Sequence, residues 1–360
     1  MQHPKRFWLF SEDNLKRAGI EMSLDFYDPT TMEALVEIIW NKLARHINKP
    51  GSTIYYIPTH KFYQIDLSSL VLPDGTLLGD HYNIVRLSSA DQLKKRKAVL
   101  QLSNQSDSQA VIVGGLSYDM TDEELLAENQ KHDHVDFSGI RSVIRGNALS
   151  YLPQTKREAY TIDQLLKGKG FVTKLLTGIE GTAESFYEIN HHAPQLLHIA
   201  THGFYYLPGE AKETSYFKGL DDAMDLSGIV FAGANAAWTG KEIPEGVHPG
   251  IVTASEIAAM DLSGLELVVL SACQTGEGKT TDEGLYGLQR AFKKAGAETI
   301  IMSLWPVSDR ITREFMETFY RNLLDDRLHG DKHRAFQLTK NEIRKRYPDP
   351  IYWAAFVMTD

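Results

Sequence analysis

From residue 110 onward the chain alternates short, mostly apolar runs with segments of helical periodicity, an order that admits few folds. The runs at 110–116, 196–200, 267–271 and 299–304 are too short for ordinary helices, and 267–270 and 300–302 are apolar at every position. Such continuity predicts strands covered on both faces rather than strands with one wet side. Between them lie helical patterns at 157–166, 182–189, 282–295, 309–325 and 331–346, with further strands expected at 171–176 and 352–358. Strands alternating with helices predict an α/β domain, a mostly parallel sheet with helices on both faces.

The first hundred residues read differently. Apolar positions at helical spacing over 30–48 stop at Pro50-Gly51, and short β-branched or aromatic stretches follow at 53–57, 62–65 and 82–87, with a turn at Pro73-Asp74-Gly75. A polar stretch at 101–109 separates the two parts. The expected organisation is therefore a smaller α+β subdomain over 1–105 and the α/β domain over 106–360. With 42% hydrophobic residues, a chain of 360 has enough apolar surface to bury a core in both.

Charge and cysteine usage narrow the function classes. A net charge of −9 argues against a general nucleic-acid binder, because neutralising phosphates needs a surplus of Lys and Arg on one face. The basic run Lys94–Lys97 reads as a solvated helix face. One cysteine forms no intrachain disulfide and no cysteine-based zinc site, which fits a reducing cytoplasm. The four apolar residues at 7–10 are too few for a signal-peptide core, and no apolar stretch approaches the length of a membrane span. A cytoplasmic protein without metal, cofactor, nucleic acid or membrane partner is the expectation.

Open α/β sheets bind and react at the carboxyl ends of their strands. The strand 196–200 runs out into Thr201-His202-Gly203, and the strand 267–270 into Ser271-Ala272-Cys273-Gln274-Thr275-Gly276. If these strands are neighbours, His202 and Cys273 open onto one crevice. A thiolate, not a thiol, attacks a carbonyl, and a nearby imidazole can take the thiol proton and later return one to a leaving amine. The N–H groups of Gly203 and Cys273 are candidates for holding the oxyanion of a tetrahedral intermediate. A buried structural cysteine and a locally bonded loop histidine are the bland alternatives; that both residues end separate strands, each with Gly close behind, favours the reactive pair. His198 lies inside its strand and reads as structural, and His191 and His192 carry no evident role.

These same residues carry a family resemblance. Residues 197–204 (Leu-His-Ile-Ala-Thr-His-Gly-Phe) and 269–276 (Val-Leu-Ser-Ala-Cys-Gln-Thr-Gly) resemble the histidine and cysteine motifs of the CHAT domain, a family placed with caspases and separase. The likeness continues through 287–292, 295–297, 303–309 and 352–356, and the segment with Pro73-Asp74-Gly75 and Leu87-Ser88-Ser89-Ala90 is similar to what precedes such domains. The resemblance implies a caspase-like fold, with a degenerate caspase-like subdomain over 1–105. It also implies hydrolysis of peptide bonds in protein substrates through an acyl-enzyme, by a dyad of His202 and Cys273 with no third side chain required. CHAT domains often follow helical repeats, which this sequence lacks, so a regulatory repeat module or activating partner outside the chain is implied.

In separase a similar Trp-x-Val-x-Asp segment borders the pocket for a basic residue before the scissile bond. Asp309 is the corresponding acid here, with helix capping by Ser308 or Asp309 as the alternative. Thr280 and Glu283 are spaced as a capping box.

Two competing readings stand beside the peptidase. Gly276-Glu277-Gly278-Lys279-Thr280 resembles the end of a phosphate-binding loop, but the glycine required five residues before Gly278 is Cys273. A catalytically silent scaffold that binds a partner is the other. The stretch 204–249, with a short strand at 229–231, reads as an insertion that shapes the groove or as core filler.

Overall fold

The computed structural model describes residues 34–47, 49–59, 62–63, 65–95, 97–100, 109–132, 148–205, 224–271 and 282–360. The chain divides into two compact units, Met1–Leu87 and Ser88–Asp360. The subdomain boundary expected at 105/106 falls in 101–108, outside the described residues.

In the first unit, Val36–Trp40 forms a π-helical turn that continues as α-helix through Asn41–Leu43. Its apolar positions Leu35, Val36, Ile39 and Leu43 are buried with Ile54, Leu67, Leu70 and Leu78 in one cluster, as the helical spacing predicts. Strands β1 (Thr53–Tyr56) and β2 (Asn83–Arg86) pair in parallel. The turn at Pro73-Asp74-Gly75 closes with Gly75 N–H donating to the Leu72 carbonyl (2.8 Å), and Gly75 takes the positive φ that only glycine adopts without strain. Of the strand expected at 62–65, the described residues 62, 63 and 65 are not in a strand. Phe62 donates to the Thr59 carbonyl and Ile65 to that of Phe62, and these i to i−3 bonds curl the segment into a 3₁₀-type turn.

In the second unit, described strands are β3 (Gln109–Leu116), β4 (Val172–Gly178), β5 (Leu196–Ala200), β9 (Leu267–Leu270), β10 (Ile300–Ser303) and β11 (Phe356–Thr359). They lie in the order β11, β10, β9, β5, β3, β4, parallel except where β11 runs against β10. The mostly parallel α/β sheet expected from the sequence is thus present, and the uniformly apolar runs are its interior strands. Every residue of β5, β9 and β10 is buried. Fully burying each such aliphatic side chain contributes roughly 1.5–3 kcal/mol.

The last strand begins later than the expected 352, because Pro350–Tyr352 is a 3₁₀ turn whose first free N–H, that of Ile351, is accepted by Asp349 (3.0 Å).

Helix α1 (Pro153–Lys167) connects β3 to β4 and packs tightly on β3. A Cβ on Gly114 would stand 2.7 Å from the Thr155 carbonyl oxygen, and one on Gly115 2.4 Å from Lys156 Cβ, so both glycines are what permits the approach. Helices α2 (Asp282–Ala295), α3 (Asp309–Leu323) and α4 (Lys332–Arg346) follow their sequence patterns. The basic run behaves as expected of a surface: it contributes one helical turn, Gln92–Lys95, and Lys97 pairs with Glu298 at 2.7 Å.

A second, antiparallel sheet of three short strands was only partly foreseen. It comprises β6 (Gly203–Tyr205), β7 (Ser227–Val230) and β8 (Ile251–Thr253) in that order. Its residues are buried throughout, which answers the insertion-or-filler question for the described part of 204–249: these strands are core.

Candidate active site

The site is built where the two sheets meet. Strand β5 ends at Ala200 and β6 begins at Gly203, so Thr201 and His202 form the whole connection between the sheets. His202 is only 2% exposed. Its Nε2 lies 2.7 Å from the carbonyl oxygen of Ser150, just ahead of α1. A carbonyl only accepts, so Nε2 carries the proton and Nδ1 is the basic nitrogen of the neutral ring.

One side of the imidazole is covered by Tyr118, with ring centroids 4.8 Å apart and planes tilted by 49°. The Tyr118 hydroxyl is 2.8 Å from Thr201 Oγ1, and Thr201 donates its single hydroxyl proton to the Val230 carbonyl at 2.7 Å. The Tyr118 hydroxyl must therefore be the donor to Thr201. Burial pushes the Tyr118 phenol up to about 12, so it stays protonated.

Burial also holds the His202 imidazolium below the ordinary histidine range, while the Ser150 carbonyl and the Asp309 carboxylate act in the opposite direction. Asp309 shows the reciprocal effect. Its carboxyl is raised by burial, and the charge of His202 pulls it back down. His202 and Asp309 therefore feel each other's charge, although they lie 107 positions apart in sequence. Asp309 is the first residue of α3, and Ser308, at the cap position, makes no side-chain cap bond.

Gly203 sits opposite Ile229 in the β6–β7 ladder. The adjacent pair exchanges a bond from the Val230 N–H to the His202 carbonyl (2.9 Å). Because antiparallel ladders alternate bonded and non-bonded pairs, the Gly203 N–H points away from β7.

Cys273 lies outside the described residues, as do the phosphate-loop look-alike at 276–280 and Thr280 of the expected capping box. The strand that precedes it in sequence is described. Strand β9 is the immediate neighbour of β5, parallel, with Leu196 beside Leu267 and Ile199 beside Leu270, an offset of 71 positions. The Ser271 N–H continues that register onto the Ile199 carbonyl at 2.8 Å. Cys273 follows His202 by the same 71 positions.

His198 is structural, as expected. It is wholly buried, with Nε2 on the Glu158 carboxylate (3.0 Å) and Nδ1 facing the Tyr320 hydroxyl (3.2 Å). His191, at φ 62°, stands near Asp261 on the surface. Ser150 and Tyr118, which the sequence did not point to, both bear on the imidazole. No motif flags them, since one contributes a backbone carbonyl and the other is an aromatic after a strand, an ordinary core residue.

These features define an α/β chain with a buried, tautomer-fixed histidine at the carboxyl rim of a parallel sheet, beside the strand that leads to its sole cysteine. The CHAT domain family model matches residues 30–359, and the chain belongs to that family. Tetratricopeptide repeat protein 28 of Mus musculus is 33% identical over 109 residues, 30% of this chain and 4% of that protein. The Homo sapiens protein of the same name is 32% identical over 108 residues, again 30% and 4%. The chain therefore matches only a small part of these relatives' length. Among solved structures, the Arg specific cysteine proteinase gingipain R is similar at TM-score 0.49 and 11% identity, over 93% of this chain and 68% of that one. The Saccharomyces cerevisiae separase–securin complex is similar at TM-score 0.40 and 13% identity, over 81% and 15%. No helix among the described residues is long and apolar enough to cross a membrane.

Proposed function

We propose that this CHAT domain is a cysteine endopeptidase in which Cys273 is the nucleophile and His202 the proton-transfer group. The observation that carries the reading is the shared offset of 71 positions: β5 and β9 run side by side in the register that separates His202 from Cys273. In this reading Nδ1 of His202 takes the thiol proton while Nε2–H stays on the Ser150 carbonyl. The thiolate attacks the peptide carbonyl carbon, and the oxyanion is held by the N–H groups of Gly203 and Cys273. The imidazolium then protonates the departing amine, leaving a thioester. Water attacks that ester, its proton passing to Nδ1, and the acid product leaves with the thiol restored. Asp309, half-buried and coupled to His202, is the proposed partner for a Lys or Arg ahead of the scissile bond. The family's tetratricopeptide repeat relatives support a repeat-bearing regulator as a further partner, beside a protein or peptide substrate.

The test is incubation of wild type, Cys273→Ala and His202→Ala with a peptide library, followed by N-terminal sequencing of cut products. Cleavage by wild type alone is expected, after basic residues. Equal products from Cys273→Ala, or no products together with no labelling by any thiol-directed peptide inhibitor, would leave the silent scaffold instead.

A further inference from the structure

We propose that Asn235 is a positioning residue for His202, holding both supports of the imidazole at once. This rests on the reading of His202 as the proton-transfer group. Asn235 is 3% exposed and lies beyond β7. Its Oδ1 accepts the Leu149 N–H (2.8 Å), and its Nδ2 donates to the Leu149 carbonyl (3.1 Å) and to Asp119 Oδ1 (2.9 Å). The orientation of the amide is settled by its neighbours. Reversed, it would set oxygen against a carboxylate and a carbonyl, and NH₂ against an N–H.

Bonding both the N–H and the C=O of one residue is what a strand does to its partner, here performed by a single side chain. The residue so held is Leu149, and the next carbonyl along is that of Ser150, which receives His202 Nε2–H. Ser150 is exposed and Leu149 only half-buried, so burial alone does not aim this carbonyl. The main chain of Asn235 reaches the other support. Its N–H donates to the Tyr118 carbonyl (3.0 Å), and Tyr118 is the ring lying against His202. Orienting partners of this kind fix the tautomer and direction of a functional histidine.

Imidazole nitrogen shifts of ¹⁵N-histidine-labelled protein test the idea, with the His202 signals identified by their loss in His202→Ala. Wild type is expected to show the Nε2–H form. Asn235→Ala should convert His202 to a mixture of tautomers and lower kcat by about tenfold or more with KM little changed, the scale on which removing a histidine's orienting partner acts. Asn235→Asp, nearly isosteric, loses the Nδ2 donors and faces Asp119, and should do the same. A folded variant of either kind with the wild-type tautomer and kcat would overturn the proposal. Failure of both to fold would overturn it too, since Asn235 would then be a residue of the fold rather than of the site. If His202→Ala retains turnover, the dyad reading fails, while the tautomer still reports on Asn235.

Discussion

The carbonyl of Ser150 receives the Nε2–H of His202 at 2.7 Å, joining the start of helix α1 to the end of strand β5. Because that bond assigns the basic role to Nδ1, the protonation of one nitrogen sets the acid side of the pH profile. Burial depresses the imidazolium, so the base form persists below the ordinary histidine value of 6.5. The acid limb of kcat/KM is expected to have its midpoint below 6.5. An acid limb well above that value would contradict the assignment.

Asp309 opposes that depression, since its negative charge favours the protonated ring. Asp309→Asn removes the charge and should move the acid limb further down. The same substitution tests specificity. A charge-assisted bond is worth about 1.5–3 kcal/mol, so kcat/KM for substrates with Lys or Arg before the scissile bond should fall roughly 10- to 100-fold. Matched neutral substrates should change much less. Equal losses on both would remove Asp309 from substrate recognition.

The Glu158–His198–Tyr320 network is buried around the middle of β5, with both ring nitrogens of His198 held by Glu158 and Tyr320. Glu158→Ala strands a buried imidazole without its acceptor and should destabilise the fold by about 3 kcal/mol. Urea unfolding would measure this. His202→Ala should cost less stability than Glu158→Ala while abolishing turnover, so the two histidines of β5 and its exit separate by experiment.

Gly115 has a φ of 66°, and an added Cβ would meet Lys156 Cβ at 2.4 Å. Left-handed backbone costs a non-glycine residue about 1–2 kcal/mol, and overpacking adds about 1–3 kcal/mol. Gly115→Ala is therefore expected to lower stability by about 3 kcal/mol in chemical denaturation. An unfolding midpoint equal to wild type would show that α1 can retreat from β3 freely.

Much of the second unit was legible because its strands obey one strong rule. A strand covered on both faces has few polar positions to confuse its pattern, so β3, β5, β9 and β10 stood out as short apolar runs, interrupted inside β5 by His198. The small sheet was harder to see. β6 and β8 are three residues each, too short for any periodicity, and only the run at 229–231 hinted at it. Residues 62–65 failed for the opposite reason: apolar content was read as strand, whereas local i to i−3 bonds won. His202 was visible from its place at a strand exit. Its framing was not, because the carbonyl of Ser150 has no signature in a side-chain alphabet, and Asn235 and Tyr118 look like any polar loop residue and any core aromatic.

Only Thr201 and His202 separate β5 from β6, so the imidazole is the elbow joining one sheet to the other. An elbow that short has no slack. Any rotation of the small sheet against the large one must carry the ring with it, which makes the alignment of this histidine a property of the whole joint and not of one rotamer.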